Sequence, residues 1–375
     1  METYIQELKT DDNYSSNYST GKRDSQGNIV ADTQTQETTE TQEISVTEEG
    51  IPVIEGTGEI LVDVSSTGRV RNWSEKKRMN EELVKIFERA RLIDRDIITG
   101  SRLNQLEECG SYLRFAETAE GRKLVEANFC RVRLCPLCQW RRSLKLFSQV
   151  SEITDYILSE KKVRFLFVTL TVRNCEGEDL PSTLDRMNEG FKLLVRKKMT
   201  LAETKPLSEN LLGYMKAIEV TYNIKTKRYH PHIHCVFEVK PSYFGKDYIK
   251  HSQWIEIWKR VMRLDYEPSV SIKAIKDSSS KAVAEVAKYP VKLDGLFKIK
   301  DKNEQSRVLI VMKRALHKRR LLTFGGDFRE VKRKLKLEDV ETTNDLIHLD
   351  NEERELNIIA FTIFKYRADF GCYVC

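Results

Sequence analysis

The chain has 375 residues, enough for one large domain or two smaller ones with a well-buried core. Apolar residues make up 40% of it and charged residues 32%, and no stretch approaches the roughly 18 uninterrupted apolar residues of a membrane helix. Because the amino terminus also lacks an apolar signal core, we expect a cytoplasmic protein without a disulfide framework.

The formal net charge of +6 is unevenly distributed. Residues 1–72 carry 14 acidic and 5 basic side chains, a net of −9, so the remaining residues carry +15. A basic body of this kind is typical of polyanion-binding proteins, although an ordinary solvated basic surface explains the charge equally well. Residues 1–50 are rich in Thr, Gln, Glu and Ser and poor in large apolar groups, which predicts a disordered acidic arm.

The next region, residues 73–145, is expected to be helical, zinc-binding and in contact with DNA. A helical pattern begins at Trp73, with Ser74 as the expected N-cap. Cys130, Cys135 and Cys138 have the spacing of a zinc knuckle. Cys109, the nearest other cysteine, is the expected fourth ligand. A redox CxxC motif is the alternative. The adjoining QWRRSLK segment would present Arg141 and Arg142 to phosphates.

Beyond residue 145 the apolar periodicity changes between helix and strand. The predicted elements are a helix at 143–159, a strand at 163–173, a helix at 182–198, strands at 214–222 and 232–240, a helix at 251–264, a strand at 269–275 and a helix beginning near Ser279. This order predicts an α+β fold with a ferredoxin-like (RRM-like) antiparallel sheet and helices on one face. We assign it to a domain at 146–300, followed by a C-terminal extension at 301–375.

The sequence HPHIH at 230–234 uses three of the six histidines in the chain. On a strand, His232 and His234 point to the same face. If Tyr222 pairs with Tyr229 in a hairpin, Glu219 lies opposite His232, and the three side chains form a candidate site for Mn²⁺ or Mg²⁺ with open coordination positions. A one-residue slip would turn Glu219 away, and a polar network without metal is the alternative.

The segment SSSKAVAEVAKYPVK at 278–292 predicts a helix that begins with serine caps. Glu285 and Tyr289 lie four residues apart and so project from one face. Lys288 and Lys292 flank the tyrosine, where they could lower its pKa or hold a phosphate. By itself this pattern also fits an ordinary amphipathic helix with a half-buried tyrosine.

Taken together, these segments resemble plasmid rolling-circle Rep proteins of the family with one catalytic tyrosine, within the HUH endonucleases. The resemblance rests on FVTLTVRN (167–174), YHPHIHCVFEV (229–239) and EVAKYPVK (285–292), in that order, and extends to FCRVRLCPLCQWRRSLK (129–145) and LLTFGGDFREVKRKLKLED (321–339). It implies that His232, His234 and Glu219 bind a divalent metal and that Tyr289 is the nucleophile. It also implies that Glu285 activates water at termination.

The implied reaction is the nicking of one origin DNA strand, which leaves a 5′-phosphotyrosine and a 3′-OH that primes replication. Origin DNA and the host helicase and polymerase are the expected partners. Three alternatives stay open: a relaxase or transposase of the same superfamily, a non-catalytic zinc-dependent DNA-binding regulator, and a histidine-triad nucleotide hydrolase, whose motif HPHIHCVF also fits.

Overall fold

The computed structural model describes residues 44–46, 52–54, 58–64, 68, 70–119, 121–196, 204–275, 293–349 and 357–375. The helices are α1 (Trp73–Ile93), α2 (Gly100–Glu107), α3 (Pro136–Glu160), α4 (Leu180–Leu194), α5 (Lys205–Asn210), α6 (His251–Met262), α7 (Asp294–Phe297), α8 (Lys302–Ala315) and α9 (Asp327–Lys334). Within these described ranges, no helix is both long enough and apolar enough to cross a membrane.

The strands follow the same chain order. They are β1 (Ile44–Val46), β2 (Pro52–Ile54), β3 (Gly58–Glu59), β4 (Tyr112–Thr118), β5 (Gly121–Ala127), β6 (Arg164–Thr171), β7 (Leu211–Asn223), β8 (Arg228–Val239), β9 (Val270–Ile275), β10 (Leu322–Gly326), β11 (Ala360–Arg367) and β12 (Cys372–Val374). They form a three-stranded sheet of β1 to β3 near the amino terminus and two larger sheets.

The larger central sheet has five antiparallel strands in the order β10-β7-β8-β6-β9. Four of its strands, β6, β7, β8 and β9, form a β-α-β-β-α-β run with α4 and α6. The first and third strands of this run, β6 and β8, lie in the middle of the sheet, as in a ferredoxin-like fold. β10 adds a fifth strand at the β7 edge, so residues 301–375 contribute to this sheet. The α+β class predicted from the sequence is confirmed.

Helices cover the central sheet on both faces, whereas the sequence predicted them on one. On the first face, α4 and α6 pack through aromatic contacts such as Phe191 and Trp254 against Phe237, with ring centroids 6.1 and 6.2 Å away. On the second face, α9 covers one end, where the rings of Phe328 and Phe165 are 6.3 Å apart. The other end of the second face, at the start of β8, carries the histidines.

A second sheet, β12-β11-β4-β5, encloses the hydrophobic core around α1. Trp73 at the start of α1 contacts the ring of Phe115 on β4 at 6.3 Å, and Phe115 in turn contacts Phe364 on β11 at 5.9 Å. Pairing of β11 with β4 connects residues about 250 positions apart in the chain. The carboxyl-terminal strands are therefore built into the same layer as the cysteine region.

Candidate metal centre and its surroundings

The hairpin of β7 and β8 brings the predicted metal ligands together. Tyr222 pairs with Tyr229 and Glu219 pairs with His232, which confirms the register assumed from the sequence. His234 follows two residues along β8 and therefore lies on the same face as His232. This face is the second face of the central sheet, on the end that α9 leaves open.

The three side chains, which we call the Glu-His-His trio, converge on one point. The Nε2 atoms of His232 and His234 lie 3.6 and 3.4 Å from Oε2 of Glu219. Ligand atoms held about 2.1 Å from one cation are roughly 3.0 to 3.5 Å apart, so this spacing suits a shared metal ion. Glu219 is 1% exposed and the side chain of His234 is 23% exposed. The trio is therefore anchored inside and open to solvent on one side.

Hydrogen bonds at the other ring nitrogens orient both imidazoles. Nδ1 of His234 lies 3.0 Å from the hydroxyl of Thr169 on β6, and Nδ1 of His232 lies 3.3 Å from the backbone oxygen of His230. With the proton on Nδ1 in each ring, both Nε2 lone pairs face Glu219. The ring of Phe167 stacks on His234 at 5.4 Å and restricts its rotation.

His230 is outside the group of converging ligand atoms. Its Nδ1 is 2.8 Å from Oδ1 of Asn174, and its ring stacks on His232 with centroids 5.1 Å apart. Burial beside His232 lowers the pKa of His230, which favours its neutral form. His230 therefore supports the trio from the side instead of completing it.

Two imidazoles and one carboxylate make a mixed nitrogen and oxygen donor set with open positions. Such a set suits a divalent cation that also binds a substrate oxygen, whereas closed four-ligand sites are structural. Each residue of the trio can offer one ligand atom, and these atoms lie within 4.8 Å of one another. The residues present thus fit a catalytic divalent metal.

The four predicted zinc-binding cysteines also converge: Cys109, Cys130, Cys135 and Cys138. The sulfur of Cys138 lies 3.6 Å from that of Cys109 and 3.7 Å from that of Cys130, and the sulfurs of Cys135 and Cys109 are 3.5 Å apart. A tetrahedral zinc with Zn–S bonds of about 2.3 Å requires sulfurs about 3.8 Å apart. The four-cysteine cluster has nearly that size.

Backbone amides point at the sulfurs of the four-cysteine cluster, as expected around thiolates. The N–H of Arg131, a residue with φ of 58°, donates to Sγ of Cys138 at 3.2 Å, and the N–H of Cys130 donates to Sγ of Cys109 at 3.3 Å. Burial, followed by the neighbouring thiols, raises the pKa of Cys135. Because burial disfavours isolated thiolates, a bound cation is what would stabilise the deprotonated cluster.

Arg141 and Arg142 point into the protein. Their exposed fractions are 2% and 4%, and Arg141 donates to the backbone oxygens of Leu346 and Ile347 at 2.7 and 2.6 Å. Arg142 donates to the backbone oxygen of Arg131 at 3.1 Å. These guanidinium groups tie α3 to neighbouring segments, so neither is presented to a DNA phosphate. The helix itself begins at Pro136, seven residues before the predicted start.

The remaining predicted site residues, Glu285, Tyr289, Lys288 and Lys292, lie outside the described residues. Sequence reasoning missed Thr169 and Asn80. Thr169 holds His234, and Asn80 on α1 accepts a hydrogen bond from the Cys135 thiol at 3.2 Å. Phe167, Thr169 and Thr171 occupy alternate positions along β6 and therefore share one face, and this pattern was the sequence signal for Thr169. Asn80 carries no local signal because its contact spans 55 positions.

Comparison with known proteins gives a consistent result. Residues 121–373 match a family of replication proteins. The protein rep of Streptococcus pneumoniae serotype 2 is 36% identical over 315 residues, covering 81% of this chain and 91% of that relative. The protein rep of Bacillus amyloliquefaciens is 36% identical over 327 residues, covering 82% and 94%.

A replication protein from Staphylococcus aureus is 37% identical over 211 residues, which cover 54% of this chain and 86% of that relative. No solved structure matches the chain significantly. The family match covers most of the chain and includes three of the four clustered cysteines (Cys130, Cys135 and Cys138), the trio and β11. The chain therefore belongs to this family of replication proteins, which confirms the resemblance to plasmid replication initiators indicated by its motifs.

Proposed function

We propose that this protein starts rolling-circle plasmid replication by nicking one strand of the origin. The observation that carries the proposal is the Glu-His-His trio, in which two histidine Nε2 atoms lie 3.4 and 3.6 Å from one carboxylate oxygen in a replication-family chain. Family membership favours initiation over nucleotide hydrolysis, and the ligand geometry favours an enzyme over a purely DNA-binding regulator.

The fold proposed for this reaction is the HUH endonuclease fold. Its support is the order of the central strands, with β8 and β6 in the middle, and the position of the histidines on β8 facing away from α4 and α6. A sheet face with one open end provides a surface on which a DNA strand can lie. The trio is at that open end, so a phosphate can reach it from solvent.

Tyr289 is proposed as the nucleophile. Its hydroxyl oxygen attacks the scissile phosphorus in line, the bond from phosphorus to the 3′-oxygen breaks, and that oxygen leaves as a 3′-OH that host polymerase can extend. The 5′-phosphate stays on the tyrosine. Glu219, His232 and His234 would hold a divalent ion, Mn²⁺ or Mg²⁺, which would supply positive charge to the phosphate.

Chain connectivity allows Tyr289 to reach the trio. A Cβ on Gly295, six residues later, would lie 3.3 Å from the backbone oxygen of Tyr222 at the end of β7. Six residues span at most about 20 Å. Tyr222 is three residues beyond Glu219 on β7, a distance of about 10 Å. These lengths support the proposed role of Tyr289, because the segment that carries it is long enough to extend to the open end of the sheet.

The other residues of the tyrosine segment have proposed roles. Glu285 would accept a proton from the water that cleaves the regenerated site at termination. Lys288 and Lys292 would neutralise DNA phosphates next to the tyrosine. The four-cysteine cluster would hold structural Zn²⁺ and fix α3 against α1 and β4. Origin DNA is the proposed substrate, and the host helicase and polymerase are proposed partners in the cytoplasm.

The test is incubation of a supercoiled plasmid carrying the origin with protein and Mn²⁺. We expect nicked plasmid with protein attached to the 5′ end. Tyr289→Phe should remove the covalent product while DNA binding and metal binding stay nearly unchanged, because only the hydroxyl is lost. Attachment of DNA to that variant would overturn the tyrosine assignment. A plasmid-transfer assay in parallel separates a replication initiator from a relaxase.

A further inference from the structure

The loop that follows α6 is fastened to the end of β6, beside the Glu-His-His trio. The hydroxyl and the backbone N–H of Thr171 both donate to the backbone oxygen of Ser269, at 2.7 and 3.2 Å. The indole N–H of Trp258 on α6 donates to the backbone oxygen of Thr171 at 2.8 Å. The loop residues 264–269 are therefore held in place against the strand that carries Thr169.

On this loop, Tyr266 forms a stacked pair with Arg173, which we call the Arg-Tyr ledge. The guanidinium carbon of Arg173 is 3.9 Å from the centre of the Tyr266 ring, and the Arg173 backbone N–H donates to the Tyr266 hydroxyl at 2.8 Å. Arg173 is exposed and forms no ion pair with any other residue that the structure describes. Its guanidinium is thus available to a ligand from solvent.

Two cavities meet at Arg173. One, of about 420 Å³, is lined by Arg173, Tyr266, Pro268, Glu267 and His230, among others. The ring of His230 stacks on His232, so this cavity reaches a side chain that contacts the trio. The other, of about 520 Å³, continues along Asn174 and residues 226–228. The ledge therefore lies between the two cavities, on the side of His230 away from the trio.

The chemistry of the first cavity suits a nucleobase better than a phosphate. Arg173 and Tyr266 offer flat surfaces for stacking, and Pro268 adds an apolar wall. Glu267 would repel a phosphate, whereas its carboxylate can accept a hydrogen bond from a base N–H. In the second cavity, Arg228 and Lys227 are already paired with Glu176 and Glu304, at 2.8 and 2.9 Å.

We propose that the Arg-Tyr ledge is a stacking subsite for one nucleobase of the DNA strand whose phosphate lies at the trio. This inference rests on the proposed function and adds a positioning role: stacking would fix the strand so that one phosphate meets the trio. Stacking of a base on an aromatic or guanidinium plane is sequence-tolerant, so the subsite would set the position of the strand more than its sequence.

The experiment compares binding of two fluorescein-labelled probes of equal charge: a fifteen-nucleotide oligo-dT and a fifteen-unit abasic deoxyribose-phosphate oligomer. The wild-type protein should prefer oligo-dT. Tyr266→Ala and Arg173→Lys should each reduce that preference by about tenfold, the size of one lost stacking contact. Arg173→Lys keeps the charge, so the affinity for the abasic oligomer should not change. Tyr266→Phe keeps the ring and should keep most of the preference.

The chain offers a matched control at the opposite end of β6. The guanidinium carbon of Arg164 lies 4.8 Å from the ring centre of Phe244, so Arg164→Lys removes a similar pair far from the trio and should leave the preference unchanged. Equal loss of affinity for both probes in Arg173→Ala would show that Arg173 contacts only phosphate and would overturn the proposal. An unchanged preference for oligo-dT in Tyr266→Ala would also overturn it.

Nicking is measured separately from probe binding. A wild-type protein that prefers oligo-dT but never nicks the origin plasmid would contradict the proposed function and leave the stacking subsite standing. A protein that nicks while all ledge variants keep the wild-type preference would contradict the subsite alone.

Discussion

The two candidate metal sites of this protein differ in how they are enclosed. The four-cysteine cluster is closed: Cys109, Cys135 and Cys138 are 0% exposed, and backbone amides point at the sulfurs. The Glu-His-His trio is open at the end of a sheet, where the side chain of His234 is 23% exposed. Soft, closed ligand sets suit structural zinc, whereas mixed, open sets suit catalysis.

The two sites also differ in what they connect. The four-cysteine cluster joins the segment after α2, the turn after β5 and the start of α3, and so adds a link between α3 and the paired strands β4 and β5. The trio lies on two paired strands whose register is fixed by the hairpin itself. We infer that loss of the first metal would destabilise the fold, while loss of the second would stop chemistry and leave the fold in place.

The largest expected effect comes from breaking the four-cysteine cluster. Cys135→Ser should remove the zinc and most of the stability of the cysteine region, since structural zinc binding contributes on the order of 10 kcal/mol to folding. Zinc content by mass spectrometry and thermal unfolding provide the measurements. Cys175→Ser, at a half-buried thiol outside the cluster, is the control and should keep its zinc. Full zinc content in Cys135→Ser would refute the structural role.

Breaking the trio should reduce nicking and leave the stability of the fold nearly unchanged. Glu219→Gln should lower Mn²⁺-dependent nicking by about 100-fold because it removes the ligand charge, while the melting temperature changes little. Glu238→Gln is the matched control: that carboxylate is buried on the same face of β8, at the end away from the trio and 3.2 Å from Lys161. Equal loss of nicking in both variants would point to a general effect on the sheet.

Stability of the central sheet should depend on its packed face, independently of the trio. Lys216 is 5% exposed and donates a hydrogen bond to Asn188 on α4. Burial lowers the pKa of Lys216 to about 8. Between pH 8 and about 10.5, Lys216 is protonated in the unfolded chain and neutral in the folded protein, so the unfolded chain binds one more proton. The free energy of unfolding should therefore rise with pH in this range, by up to about 3 kcal/mol.

Lys216→Met should abolish that rise in urea unfolding measured at pH 7.5 and pH 10. Lys192→Met, at an exposed lysine on α4, should keep it. An identical pH dependence in wild type and Lys216→Met would show that the buried ammonium is not the source.

The smallest expected effect concerns the orientation of His234. Thr169→Val keeps the shape of the side chain and removes the hydroxyl 3.0 Å from Nδ1, so the affinity for Mn²⁺ should fall by about tenfold. Calorimetric titration measures it, and Thr169→Ser should restore most of the affinity. Unchanged binding in Thr169→Val would mean that strand pairing alone orients the imidazole.

Local patterns were sufficient to predict the trio and insufficient for the second sheet. The polar turn between β7 and β8 fixed the register, and period-two alternation then placed Glu219 opposite His232. By contrast, β11 pairs with β4 across about 250 positions, and no local pattern encodes such a contact. The burial of Arg141 was missed for the same reason, since its acceptors at 346 and 347 come from a distant segment.

Metal stoichiometry tests the central contrast between the two sites most directly. After dialysis against EDTA and titration with Mn²⁺, zinc is measured by mass spectrometry and bound Mn²⁺ by electron paramagnetic resonance. The wild-type protein should retain one zinc and bind one Mn²⁺, and a double variant, His232→Ala with His234→Ala, should lose only the Mn²⁺. Retention of Mn²⁺ by the double variant, or loss of its zinc as well, would contradict the assignment of separate catalytic and structural sites.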